Sequence, residues 1–186
     1  MSWDRATPLP LFRDWLQAIG PGAGRSAVVV GCGLGVDAEF VAAHGFHTTA
    51  FDISPTAIGT AQQRYPDSSV DYRIADMLCL PREWQHAFDL VVEIINIQAL
   101  PMSLRHQAIA AVANLVTEGG TLLTIENIRQ DGDALPHRPR GRFSEPRSNL
   151  LPTTACTRSP LNALGTRRIR HDGEPSSSVP SLKHLR

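Results

Sequence analysis

Cysteine is scarce in this chain: three residues, Cys32, Cys79 and Cys156, in 186. Their number is odd, their spacing is wide, and they form neither CxxC pairs nor Cys/His sets. That argues against a disulfide framework and against a zinc site, so no metal is expected. Long apolar runs are missing too. No stretch of about 18 apolar residues occurs, and no membrane span is expected. The opening Met1-Ser2-Trp3-Asp4-Arg5 lacks the basic-then-apolar order of a secretory signal. Net charge is absent as well, because 18 Lys and Arg balance 18 Asp and Glu, and no internal repeat is found. What is present is a 42% apolar content, which is enough for a core and excludes wholesale disorder. The length allows one ordinary domain with a short appendage, and a cytoplasmic location is the default expectation.

The neutral balance conceals two compositions. Residues 1–133 hold 15 acidic and 8 basic residues, whereas residues 134–186 hold 3 acidic and 10 basic. The second segment also has half of the 14 prolines and a single aromatic residue, Phe143. So little apolar surface does not offset the entropy of ordering a chain. Residues 1–133 are therefore expected to fold, and residues 134–186 to form a basic Pro/Arg/Ser-rich tail that is largely non-core or disordered.

Within the first segment, Leu11, Phe12, Trp15, Leu16 and Ile19 recur at helical spacing, and Gly20-Pro21-Gly22 stops that helix. It is either an amphipathic helix packed on a sheet or, together with Trp3, part of a lid. Ala27 to Val30 is a short β-branched run ending in glycines, as in a buried parallel strand. A helix is predicted over Val36–Ala43 and a strand over His47–Phe51. Ser54 and Pro55 supply an N-cap and a first helical residue for a helix to about Arg64. Strands are predicted over Val70–Ile74, Phe88–Val92 and Thr121–Ile125. A helix beginning near Ser103 precedes the last of them, and Gly119-Gly120 makes the turn between. Such alternation with short links predicts an α/β, Rossmann-like, doubly wound parallel sheet whose strand C-termini share one ligand-binding edge.

The first strand runs into Gly31-Cys32-Gly33-Leu34-Gly35 directly before a helix. Glycines permit a sharp turn and close approach of a ligand to the main chain, and a helix N-terminus suits an anionic group. The spacing is GxGxG, whereas the dinucleotide pattern GxGxxG would need its third glycine at Val36, which disfavours a NAD-dependent enzyme. Asp52 follows Gly33 by 19 residues at the end of the second strand, where a carboxylate can accept from both hydroxyls of a ribose; a helix-entry aspartate near Ser54 is the competing reading. At the end of the third strand, Asp76 could accept from an adenine amino group, with backbone N–H groups near Met77 and Leu78 meeting a ring nitrogen. A plain loop aspartate is the competing reading of Asp76.

These segments, with Phe88 to Glu93 and Val116 to Ile125, resemble class I S-adenosylmethionine-dependent methyltransferases over roughly residues 1–130. The resemblance implies that Gly31, Cys32, Gly33 and Gly35 hold the methionine end of S-adenosyl-L-methionine. It implies that Asp52 binds the ribose, that Ile53 packs on adenine, and that Asp76 and Met77 meet the adenine edge. Trp3, Thr7-Pro8 and Ala57-Ile58 more loosely resemble the thiopurine-methyltransferase-like branch. In one departure, Val29 stands where many members carry an acid.

Methyl transfer requires alignment and exclusion of water rather than a covalent residue, so the lack of a nucleophile motif excludes nothing. A base for the acceptor's proton is useful. Glu93, at the end of the fourth strand, is the candidate catalytic residue: it could take that proton, orient the acceptor or touch the methionine moiety, and a strand-end carboxylate facing solvent is the competing reading. Asn96 and Gln98 are candidates for the acceptor pocket. His106 is an alternative base on a helix that is expected to leave it in solvent. The (Asn/Asp)-Pro-Pro-(Tyr/Phe) motif of nucleic-acid amino methylation is replaced by Glu93-Ile94-Ile95-Asn96, which favours a small-molecule acceptor. No oligomeric state is read from the sequence.

Members of the family finish the sheet with a helix and an antiparallel strand pair, a pattern that residues 134–186 do not show. One explanation is a shifted reading frame, since His137 to Phe143 can be written in codons that spell Pro-Ala-Pro-Trp-Pro-Leu in another frame. The chain would then be a catalytically impaired S-adenosylmethionine-binding remnant that lacks its closing strands. A nucleic-acid-binding role for the basic tail is a further alternative. It is disfavoured by interrupting prolines and serines and by the absence of interleaved aromatics.

Overall fold

The computed structural model of the chain describes residues 4–127 together with the backbone of the strand Thr166–Arg170. The elements run α1 (Pro10–Ala18), β1 (Ser26–Val30), α2 (Val36–Ala43), β2 (His47–Asp52), α3 (Pro55–Arg64), β3 (Asp71–Ile74), β4 (Phe88–Ile94), α4 (Asn96–Ala99), α5 (Met102–Ala113), β5 (Val116–Glu126) and β6 (Thr166–Arg170). A 3-10 turn over Arg82–Trp84 precedes β4. The six strands form one sheet in the order β3-β2-β1-β4-β5-β6, with every pairing parallel.

Period-two alternation along the central strands serves two cores. Ala27 and Val29 of β1 face a layer built with Phe12 and Leu16 of α1, Ala38 and Val41 of α2, and Ile58 and Ala61 of α3. Val28 and Val30 face the opposite layer, with Ile97 of α4, Ala108 and Val112 of α5, and Leu115. Full burial of a side chain such as Phe12 or Leu90 is worth roughly 1.5–3 kcal/mol, which is why short elements suffice. Phe12 and Trp15 thus belong to the core, as the packed-helix reading of α1 expects. Trp3 lies outside the described residues.

Two local expectations need correction. Gly119-Gly120 is not the turn ahead of β5: the strand starts earlier, at Val116, and the two glycines sit in an irregularity of its register with β4. There Gly119 has φ 77°, and a Cβ on Gly120 would collide with the side chain of Val116 and crowd the carbonyls of Thr117 and Asp89. A β-bulge absorbs the extra residues that a helix-to-strand turn would have used. The fourth strand extends past Val92 to Ile94, and a short helix, α4, follows it. After β5 the described residues contain no antiparallel strand pair, but β6 adds a parallel strand to the edge. The rest of residues 128–186, including Phe143, Cys156 and the stretch discussed as a shifted frame, lies outside the described residues.

The chain moves outward from β1 to β2 and β3, then crosses back to β4. The strand order therefore reverses between β1 and β4, the position at which an open α/β sheet leaves a crevice at its C-terminal edge.

Candidate cofactor site

The glycine loop fills the β1 side of that crevice. Gly31, Gly33 and Gly35 all have positive φ, at 60°, 52° and 89°, but for different surroundings. A Cβ on Gly31 would collide with the side chain of Asn96, and one on Gly35 with the hydroxyl of Tyr72. Around a Cβ on Gly33 there is no atom within 4 Å. The loop is packed from behind at both ends and open in the middle, so Gly33 is where a ligand can touch main chain. Gly35 also caps α2 in the left-handed conformation, and its N–H donates to the Cys32 carbonyl at 3.0 Å. Cys32 is buried. Desolvation, followed by the nearby charge of Asp52, pushes its thiol pKa up to about 12, so it is an inert packing group.

Asp52 stands at the end of β2 beside this opening. One carboxylate oxygen accepts from the Gly33 N–H at 3.0 Å and the other from the Ser54 N–H at 2.9 Å. A carboxylate oxygen has a second lone pair, so both can still accept from a ligand. Ser54 in turn accepts from the Ala57 N–H at 3.2 Å, as an N-cap of α3 does. Ile53 is 58% exposed, a large apolar surface beside the carboxylate. Asp76 is exposed and closes its own turn, accepting from the Leu78 N–H at 2.8 Å, while Met77 is half-buried against the second core layer. Asp76 thus has a loop role in addition to its position at the edge.

Glu93 does not face solvent. It is fully buried, and its Oε1 accepts from the N–H groups of Asn96 at 2.7 Å and Ile97 at 2.9 Å, while Oε2 has no partner. Burial raises its pKa, the two backbone bonds oppose the rise, and the charge of Glu126 adds to it. Between Glu93 and Asn96, Ile95 adopts φ 65°, ψ 5°. For a β-branched residue this costs roughly 1–3 kcal/mol. Its N–H donates to the Ile125 carbonyl at 2.9 Å, which helps to hold it there. Asn96 donates to the carbonyls of Val30 and Ile94 at 2.8 and 3.0 Å. Gln98 accepts from the Asn127 N–H at 2.7 Å. His106 is exposed on α5, as expected.

Two contacts at the site escaped sequence reasoning. Tyr72, whose hydroxyl closes on Gly35, donates to Glu39 at 2.7 Å; burial, with Glu39 beside it, raises its pKa and keeps it a donor. Arg5 reaches Asp37 in the first turn of α2 at 2.7 Å and ties the N-terminal segment to the loop. Burial raises the pKa of Asp37, against the opposing pull of Arg5. These pairs are separated by more than 30 residues, and no local signal announces them. Among the described residues no cluster of three or more His, Cys, Asp or Glu side chains could hold a metal ion, and no helix is long and apolar enough to cross a membrane.

A GxGxG loop stands at the switch point of an α/β sheet, with its open glycine bonded to a strand-end aspartate. Residues 27–120, half of the chain, match the family model described as "Methyltransferase domain". The chain belongs to that family, and within it to the class I S-adenosylmethionine-dependent group. A ubiquinone biosynthesis O-methyltransferase of Aromatoleum aromaticum is 33% identical over 113 residues, 60% of this chain and 47% of that protein. The N-methyltransferase NodS of Bradyrhizobium japonicum, in complex with S-adenosyl-L-homocysteine, is 25% identical with a TM-score of 0.51. That match covers 64% of this chain and 66% of NodS. A structure described by the conversion of a disulfide bond into a thioacetal group during echinomycin biosynthesis is 28% identical, with a TM-score of 0.53. It matches over 61% of this chain and 46% of its own. The chain spans about half the length of the curated relatives it matches.

Proposed function

We propose that the chain transfers the methyl group of S-adenosyl-L-methionine to a small-molecule acceptor by in-line displacement. The observation that carries this reading is the open Gly33 cradle bonded to Asp52 beside the exposed Ile53. Its shape and chemistry fit a nucleoside with a flexible polar tail. Asp52 would hold the ribose hydroxyls, Ile53 would cover the adenine with Asp76 and Met77 at its edge, and Gly31 to Gly35 would take the methionine end. When bound, the cofactor supplies a methyl group already activated on a sulfonium.

The chain's own contribution is orientation and the exclusion of water. Glu93 fits an orienting role better than that of a solvent-coupled base, since one oxygen is engaged by α4 and the carboxylate is fully buried. Its Oε2 is buried without a hydrogen-bond partner, so Glu93 would act through the turn that its other oxygen holds. Relatives named O-methyltransferases favour a hydroxyl-bearing acceptor as the first to try. The nucleic-acid alternative rests on a basic segment whose side chains lie outside the described residues.

The test is a screen of small hydroxyl- and amine-bearing acceptors with methyl-labelled cofactor, alongside single-stranded RNA. Label should appear on a small hydroxyl compound and not on RNA. Label on RNA would overturn the acceptor class. Cofactor binding without transfer to any acceptor would make the chain the impaired cofactor-binding protein considered above.

A further inference from the structure

The ladder between β1 and β4 ends at the pair Val30 and Glu93. Beyond it one strand enters the glycine loop and the other the Ile95 turn. Asn96 bridges the gap: its Nδ2 donates to the carbonyl of Val30, the last residue of β1, and to that of Ile94, the last residue of β4. Both partners are acceptors, so the amide nitrogen is fixed as the atom between them, and both of its hydrogens are committed. The same side chain occupies the space that a Cβ on Gly31 would need. Its backbone N–H is held by Glu93, and the strained Ile95 before it is pinned to β5.

We infer that Asn96 is a positioning residue for the cofactor loop, fastening the loop's first glycine to the acceptor-side turn so that the two walls of the crevice keep one spacing. The inference rests on the cofactor reading for its functional meaning, but the fastening itself can be measured without ligand. Asn96 is thereby assigned to the scaffold behind the site and not to the acceptor pocket.

The experiment is amide hydrogen exchange on the full chain for wild type, Asn96→Ala and Asn96→Asp, with melting curves and titration of S-adenosyl-L-homocysteine. Asp keeps the shape of Asn but cannot donate. Both variants should exchange faster over residues 30–36, with peptides from β2 and β3 unchanged, and should bind the probe on the order of tenfold more weakly. A Gly31→Ala change should then cost less affinity in the Asn96→Ala background than in wild type, because the atoms it meets are gone. Should Asn96→Asp melt early, Asn96→Ala, which introduces no charge, carries the comparison. Unchanged exchange over residues 30–36 overturns the inference, as does an Asn96→Asp protein that behaves like wild type. Exchange rising equally through β2 and β3 also overturns it, since Asn96 would then support the sheet as a whole. If wild type fails to bind the probe, the cofactor reading falls, and the exchange pattern still decides the role of Asn96.

Discussion

Asp52 is the last residue of β2 and Glu93 the last but one of β4, the two strands that flank β1, at the same edge of the sheet, yet their surroundings are opposite. Asp52 is half-buried and shares its oxygens between the glycine loop and the start of α3. Glu93 is sealed in, with one oxygen on the turn that follows it and the other unpartnered. The difference lies in what comes next in the chain. After Asp52 come Ile53 and the N-cap Ser54, which leave the edge open. After Glu93 the backbone folds at once into Ile95 and α4, which close over it. A strand end specifies the edge, and the next few residues decide whether a carboxylate there serves a ligand or the fold.

The comparison is broken most strongly at Asp52. Asp52→Ala should reduce affinity for S-adenosylmethionine at least 100-fold, since charge-assisted hydrogen bonds are worth about 1.5–3 kcal/mol each. Its melting temperature should change much less than its binding. Glu93 should show the reverse. Glu93→Ala strands the buried N–H of Ile97 and the part-buried N–H of Asn96 and should cost about 2–3 kcal/mol in denaturant unfolding, whereas Glu93→Gln retains an acceptor oxygen and should cost less than about 1 kcal/mol. Activity within a few-fold of wild type in Glu93→Gln would support the orienting role, and a loss beyond 100-fold would make Glu93 the base.

The pH dependence sharpens the same contrast. Burial raises the pKa of Glu93, so between the unfolded-state value and the higher native one the folded chain holds a proton that the unfolded chain has released. Wild-type stability should therefore fall as pH rises through that window. Asp37 acts in the same sense, so the difference between wild type and Glu93→Gln isolates Glu93: the variant should gain on wild type toward the alkaline end. A smaller effect is expected at the α3 cap, where Ser54→Ala should cost about 1 kcal/mol and slightly weaken binding through Asp52. The smallest is at Cys32, which should resist alkylation near neutral pH until the chain unfolds, given a thiol pKa of about 12.

What could be read from the sequence was local. The β-branched run Ala27–Val30, the glycines that end it, the Ser54-Pro55 cap and the position of Asp52 each carry their own backbone signal, and each stands where it was expected. The availability of Glu93 was not legible, because the Ile95 turn requires a left-handed β-branched residue that no propensity would predict. Nor were the partners behind the loop: Asn96 meets Val30 across 66 residues, and Tyr72 meets Glu39 across 33. Periodicity reports which face a residue takes and is silent on which distant side chain fills the space beside a glycine. Gly119-Gly120 shows the related limit, because a glycine pair fits a turn and a bulge equally well, and pairing with β4 chose the bulge.

The central claim is that the Gly33–Asp52 junction is a cofactor site. Calorimetric titration of wild type and Asp52→Ala with S-adenosylmethionine, and of wild type with NAD, tests it most directly. Saturable binding of S-adenosylmethionine to wild type, its loss in the variant and no binding of NAD are the predicted results. A folded wild-type chain that ignores S-adenosylmethionine, or one that takes NAD in its place, would contradict the account.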